Sequence, residues 1–299
     1  MPFKIPLLAD LSRSRQGILW MLLAAFLFAT QDTIAKYLSI DYPTIQVLWA
    51  RFIVPVLLLA VIYRRRLPRI VATQQLGLQL LRSSLFLGML GFLFSAYRVM
   101  PLADANAILF FAPVILTALS LPVLGQYVGP RRWAAIVVGF VGALIVIRPG
   151  GDVFQTASIL ALAAALLAAG QHIIIPLLSR TDSAVTTFFY APAVGACVTS
   201  AIVGFYWVAP GISGWTQFLG LGLLGCLSQY ATIRAFQSAP APTVAPFQYS
   251  MLLWITLFGF VVFGDLPDNW TIVGALIVAG SGLYILHRER LMDTTAGHD

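Results

Sequence analysis

Apolar residues run along this chain in long blocks separated by short polar intervals. Taken as one element each, the blocks are 17–38, 44–63, 77–98, 103–124, 132–147, 156–178, 185–208, 214–236, 243–264 and 270–287. Most approach the roughly 20 residues that a helix needs to cross the hydrocarbon core of a bilayer. The pattern predicts an all-α membrane protein of about ten transmembrane helices. The weakest blocks are the third, which opens with Gln79 and Arg82, and the short fifth.

The first block is interrupted in "AFLFATQDTIAKYLS" (25–39) by Gln31, Asp32 and Lys36. Ala25, Ala29, Asp32 and Lys36 follow i, i+4, i+7, i+11, one face of a helix. A charge at mid-bilayer costs at least about 2.5 kcal/mol, so this face should turn to the interior or to a wet cavity. Asp32 and Lys36 can neutralise each other along the helix, acid before base, and so fix helix packing. Alternatively they line a path for a zwitterionic or anionic solute, or Asp32 carries a coupling proton.

Composition supports the membrane reading. Hydrophobic residues make up 60% of the 299, charged residues 10%, and the mean hydropathy is +0.89. A soluble domain of this size cannot hide so much apolar surface, which argues against a soluble enzyme or a nucleic-acid binder. The net charge of +7 is a topology signal instead. With the N-terminus in the cytoplasm, twelve of the 18 basic residues fall in inside loops and tails: Lys4, Arg13, Arg15, Arg64, Arg65, Arg66, Arg69, Arg131, Arg132, Arg180, Arg288 and Arg290. Only two, Arg98 and Arg148, fall outside, and four (Lys36, Arg51, Arg82 and Arg234) lie within spans. The imbalance puts both termini in the cytoplasm and the chain in the cytoplasmic (inner) membrane. The basic N-terminus before an apolar run lacks a small-residue cleavage site and reads as a retained signal anchor. Cys197 and Cys226 read as small apolar residues without a disulfide framework.

The chain also repeats itself. "ALLAAGQHIIIPLLS" (165–179) overlays 25–39 at an offset of 140 with seven of fifteen positions identical, and pairs Gln31 with Gln171. "VLGQ" (123–126) echoes "VFGD" (262–265), and Arg98 and Arg234 end the third and eighth blocks. Two repeats, 1–150 and 151–299, each hold about five spans. An odd number makes the second copy enter from the opposite side. Such inverted repeats build many secondary transporters, with substrate near the midplane between them.

The chain resembles the drug/metabolite transporter superfamily, EamA branch, over essentially its whole length. The resemblance rests on "QDTIAKYL" (31–38), "MPLADANAILFFAPVI" (100–115) and "APFQYSMLLWITLFGFVVFGDLPDNWTIVGALIVAGSGLYIL" (245–286). Three positions depart from it. Ala112 stands where many relatives have an acid, and Gly125-Gln126 and Gly264-Asp265 stand where Gly-Glu is usual. The resemblance implies a carrier of small organic solutes. Amino acids, nucleotide-linked and vitamin-like metabolites, and drugs are the substrates of such carriers.

Beyond Gln31, Asp32 and Lys36, other residues are candidates for binding solute. Gln171 and His172 occupy the repeat positions of Gln31 and Asp32, and His172 reads as a hydrogen-bonded neutral side chain ahead of a proton relay. Arg51 either pairs with Asp32 across a helix interface or snorkels. Arg82 and Arg234 read as anchors near a membrane surface. Tyr190, Gln229, Tyr230, Gln248, Tyr249 and Trp254 bring aromatics and amides together, as an apolar pocket with a few polar groups requires. Trp20, Trp133, Trp207, Trp215 and Trp270 read as interfacial belt residues. Pro113, Pro192 and Pro246 are candidate kinks. The small-residue faces of 139–146 and 274–282 permit close helix contact, as scaffold or in a homodimer.

Together these features predict a secondary active or facilitative transporter working by alternating access, downhill or proton-linked. Export of an amino acid or related metabolite leads. The alternative is uptake of a cofactor-like metabolite such as S-adenosylmethionine or riboflavin. An intramembrane enzyme would need a nucleophile with its base, or a metal motif such as H-E-x-x-H, and the chain has neither. There is no P-loop, no metal cluster and no sign of a cofactor.

Overall fold

The computed structural model describes residues 13–64, 67–124, 130–147, 156–239 and 244–296. Lys4, Arg65, Arg66, Arg148, the Gly125-Gln126 pair and the junction between the two expected repeats lie outside them. The helices are α1 (Arg13–Asp41), α2 (Thr44–Ile62), α3 (Leu67–Val71), α4 (Leu76–Tyr97), α5 (Leu102–Leu109) and α6 (Ala112–Leu124). They continue with α7 (Pro130–Ile147), α8 (Thr156–Leu178), α9 (Ala184–Val203), α10 (Ile212–Ser238), α11 (Met251–Phe258) and α12 (Asn269–Ala296). Five of them are long and apolar enough to cross a membrane, within Ser14–Asp41, Thr44–Ile62, Leu76–Tyr97, Ala157–Leu178 and Ala184–Tyr206. Four shorter apolar helical stretches and the more polar 27-residue α10 complete a set of ten.

Three elements differ from the sequence expectation. The third block is not weak: α4 runs unbroken for 22 residues, because Gln79 and Arg82 find partners on α9 and need not end it. The fourth block is split into α5 and α6. Pro113 has no N–H for the carbonyl of Leu109, and α5 ends at Leu109. The ninth is a composite of a 3-10 turn (Ala245–Ser250), α11 and a π-turn (Gly259–Phe263). Gly264 closes it at φ 73°, a left-handed conformation that a side chain would strain.

The packing is that of a membrane bundle, in which close contact between small residues carries the association. On α8, Ala157, Ala161, Ala164, Ala165 and Ala168 are buried, a stripe at i, i+4, i+7, i+8 and i+11. Ala164, Ala165 and Ala168 meet Leu90, Leu93 and Phe94 of α4. Trp20 does not join an interfacial belt; it is buried with Met21 and Ala24 against Ala231 and Ala235 of α10. The small faces of α7 and α12 pack on each other within the chain. A methyl group at Gly274 would strike Val146 and the Gly142 carbonyl. Large apolar side chains such as Leu57, Val61, Leu253, Val261 and Leu276 face outward, as lipid-facing positions do.

The helix contacts are symmetric under exchange of the two halves. α1 packs on α10 as α8 packs on α4, and α1 packs on α11 as α8 packs on α6. α2 packs on α9 and α7 on α12, each with its own counterpart. The long helices therefore surround a shared centre.

Candidate functional site

A cavity of about 160 Å³ opens at that centre, between α2, α4, α8, α9 and α10. Its polar lining is Arg51, Arg82, Gln171, His172 and Gln229, and its apolar wall includes Phe52, Phe86 and Phe188. Two prolines border it, Pro55 inside α2 and Pro192 inside α9. Proline cannot donate to the carbonyl four residues back, here Arg51 and Phe188, so both freed carbonyls belong to lining residues.

Arg51 is held by shape. It is 5% exposed, and its guanidinium lies so close over Gly225 of α10 that a methyl group there would overlap it. Only glycine leaves that room. The Arg51 Nε has no hydrogen-bond partner, and neither has the Arg82 Nε. Arg82 Nη1 donates to the Thr187 carbonyl at 3.0 Å. Arg82 is thus a lining residue tied to α9, and not the surface anchor its sequence position suggests. Gln171 is buried with its Oε1 unpartnered, and its repeat counterpart Gln31 is the same. His172 is exposed into the lining.

Behind Arg51 lies a buried polar chain. Asn106 Nδ2 donates to Tyr97 Oη at 2.9 Å, and Tyr97 Oη donates to Asp32 Oδ2 at 2.8 Å. Asp32 and Arg51 feel each other's charge, but no ion pair joins them. Nor does Asp32 pair with Lys36 along α1. Lys36 Nζ meets Asp265 Oδ2 at 2.7 Å and lies 4.5 Å from the Phe263 ring centroid. Helical periodicity gave the shared face correctly. The choice of partner depends on α4 and on the segment after the π-turn, which periodicity does not contain.

The other expected residues lie elsewhere. Tyr190 Oη donates to the Val71 carbonyl at 2.7 Å. Tyr230 is exposed, edge-on to Trp20 at 5.9 Å. Gln248 is exposed. Tyr249 stacks tilted on Phe110 at 5.2 Å, its Oη unpartnered and close over Gly282. Trp254 packs edge-on to Phe26 at 5.2 Å. Arg234 lies 5.7 Å from the Trp20 ring centroid. None of these lines the cavity. Sequence reasoning passed over Tyr97, Asn106, Phe52, Phe86, Phe188, Pro55 and Gly225. Only Asn106 and Pro55 carried a visible signal, a buried amide in an apolar block and a proline within a span. No group of three or more His, Cys, Asp or Glu able to hold a metal occurs among the described residues.

Known proteins resemble this chain along most of its length. The model of the EamA-like transporter family matches twice, at residues 15–148 and 155–286. A riboflavin transporter of Vibrio cholerae is 31% identical, over 92% of this chain and 94% of its own. An S-adenosylmethionine uptake transporter of Rickettsia bellii is 27% identical, over 92% and 94%. A pseudopaline exporter of Pseudomonas aeruginosa is 26% identical, over 88% and 93%. A solved crystal structure shares the fold with a TM-score of 0.62 at 16% identity, covering 92% of this chain and 98% of its own. Two copies of one family pattern, a multi-pass bundle and small-solute transporters as relatives converge: this chain belongs to the EamA-like transporter family, and it is a membrane transporter, not an enzyme.

Proposed function

We propose that the chain moves a small organic metabolite across the cytoplasmic membrane by alternating access, with the central cavity as the binding site. The observation that carries the reading is the placement of Arg51, Arg82, Gln171 and Gln229 around one cavity between the two halves. Repeats 1–150 and 151–299 act as the two inverted units, with both termini cytoplasmic. The paired prolines Pro55 and Pro192, each inside a helix that borders the cavity, are the points about which the halves rock. Transport is secondary or downhill. Asp32, buried and hydrogen-bonded to Tyr97, is the residue best placed to couple protons.

The relatives support cofactor-like metabolites ahead of amino acids. Riboflavin is the first substrate to test, since the cavity offers aromatic walls and hydrogen-bond donors to a flat, carbonyl-bearing ring. The exporter relative keeps the opposite direction in play. Labelled riboflavin is followed in a riboflavin-auxotrophic strain without its own uptake system, with and without this protein, while metabolites accumulating in the medium are profiled. Uptake that is lost in Gly225→Val supports the proposal. A metabolite enriched in the medium reverses the direction. No change in either compartment sinks the transport reading for this class.

A further inference from the structure

Charge is unevenly distributed inside this protein. Among the described residues, the cavity lining holds two guanidinium groups, Arg51 and Arg82, and no carboxylate. The acid whose charge reaches Arg51, Asp32, lies behind it, held by Tyr97 Oη at 2.8 Å, and does not line the cavity. A guanidinium stays protonated in proteins and presents five donors in a fixed fork. Both arginines have donors to spare, since each Nε is buried without a partner. A buried charge is unfavourable unless paired; Asp32 can offset the buried Arg51, whereas Arg82 is half-buried and bonded to the neutral Thr187 carbonyl. The second positive charge calls for an anion from outside the chain. Gln171 and Gln229 add amides beside it, and Phe52, Phe86 and Phe188 give flat apolar walls.

We infer that among charged solutes the cavity selects those with a carboxylate, a phosphate or a similar anionic head on a flat apolar body and rejects cations of the same size, while a neutral flat solute such as riboflavin meets no repulsion. The inference rests on the cavity being the transport site. It separates this chain from carriers of sulfonium-type cations, which would meet like charge at both arginines.

Indole-3-acetate and tryptamine share one aromatic body and differ in the sign of their charge. Titration calorimetry on the full chain in lipid nanodiscs compares the two. Indole-3-acetate is expected to bind tighter by at least about tenfold. Arg82→Gln brings the two close to parity, whereas Arg82→Lys keeps most of the preference. Gln229→Glu, which leaves both arginines in place, shifts the preference toward tryptamine and so distinguishes charge selection from a damaged fold. Equal binding, tighter tryptamine binding, or binding of neither probe overturns the inference. Proteoliposomes separate this result from the transport reading. If the preference holds but neither probe crosses the membrane, the transport reading fails alone. If both cross equally and Gly225→Val blocks both, the transport reading stands and the inference falls.

Discussion

The two halves of this protein meet at both ends of the bundle, and the two seams occupy the same place in the fold. At one end, Gln46 near the start of α2 meets the loop between α9 and α10. Its Nε2 donates to the Val208 carbonyl at 2.8 Å, and its Oε1 accepts from the Val208 amide at 3.0 Å. At the other end, Thr187 near the start of α9 meets α4, and Asp182 just before α9 meets the segment between α3 and α4. There Gln79 Nε2 reaches Thr187 Oγ1 at 3.2 Å and Asp182 Oδ2 at 2.7 Å. Asp182 also accepts from Thr73 Oγ1, and from the Gln74 amide at 3.2 Å. One seam is a neutral amide bonded to backbone. The other is a carboxylate that gathers three donors. Symmetry fixes where the halves touch, but the side chains fix how firmly. In the alternating-access cycle we propose, the balance between the two openings would therefore be a property of a few residues, adjustable without changing the fold.

The carboxylate seam is the stronger, and removing it should have the largest effect. Asp182→Ala leaves three donors without their acceptor, one of them on Gln79, a fully buried side chain. Hydrogen bonds to a charged group are worth about 1.5–3 kcal/mol each when removed. Partial solvation of the loop brings the expected total to about 2 kcal/mol, which is roughly a 30-fold shift in population toward opening at that end. Hydrogen exchange across residues 71–79 should accelerate accordingly, with residues 204–212 unchanged. Asp182→Asn, which keeps an acceptor but not the charge, should fall between. Unchanged protection in Asp182→Ala would show that this seam is held by packing.

Two smaller perturbations test the opposite end. Gln46→Leu removes both bonds to Val208, but Val208 is 43% exposed, so its freed backbone groups hydrate. The expected cost is about 1 kcal/mol, read as faster exchange at 204–212 alone. The Lys36–Asp265 pair joins α1 to the segment after the π-turn, with side-chain exposures of 12% and 34%. A double-mutant cycle of Lys36→Met and Asp265→Asn should give a coupling of about 0.5–1 kcal/mol, reduced by salt because the acid is partly solvated. A larger coupling would place the pair among the main determinants of the cycle.

The sequence carried the ten-helix plan, the repeat and four of the five polar residues that line the cavity, all but Arg82, because these follow from local hydropathy, from polar residues inside apolar blocks and from identity at a fixed offset. Gln31 and Gln171, matched at an offset of 140, prove equally buried and equally short of a partner. Partner choice was not legible. Asp32 and Lys36 share a helix face, yet their partners are 65 and 229 residues away in the chain. Arg82 stands six residues into α4, a natural depth for a snorkelling anchor, and only the position of α9 turns it inward. Gly225 is one of 24 glycines in a chain where small residues serve packing everywhere, and its role appears only once Arg51 lies against it. Asp182 sat in a short loop between apolar blocks, where an acid normally attracts no notice.

The smallest effect is expected from pH across the physiological range, and it sharpens the comparison because only one seam is built on an acid. Partial burial pushes the Asp182 carboxyl upward, but the hydrogen bonds from Thr73, Gln79 and the Gln74 amide outweigh it and hold the group below the usual carboxylate range. A lowered pKa means that the ionised form is favoured in the closed seam. Its contribution is fully present above the ordinary carboxylate pKa and is lost only as pH falls through the lowered value. Spin labels spanning residues 74 and 183 should therefore report a constant separation from about pH 8 down to about pH 5, and widening only in stronger acid. Labels spanning 45 and 209 should show no matching transition, since Gln46 and the Val208 backbone do not titrate. Early widening at the first pair, near neutral pH, would mean that the carboxylate is not held by its three donors, and the two seams would then differ in composition without differing in strength.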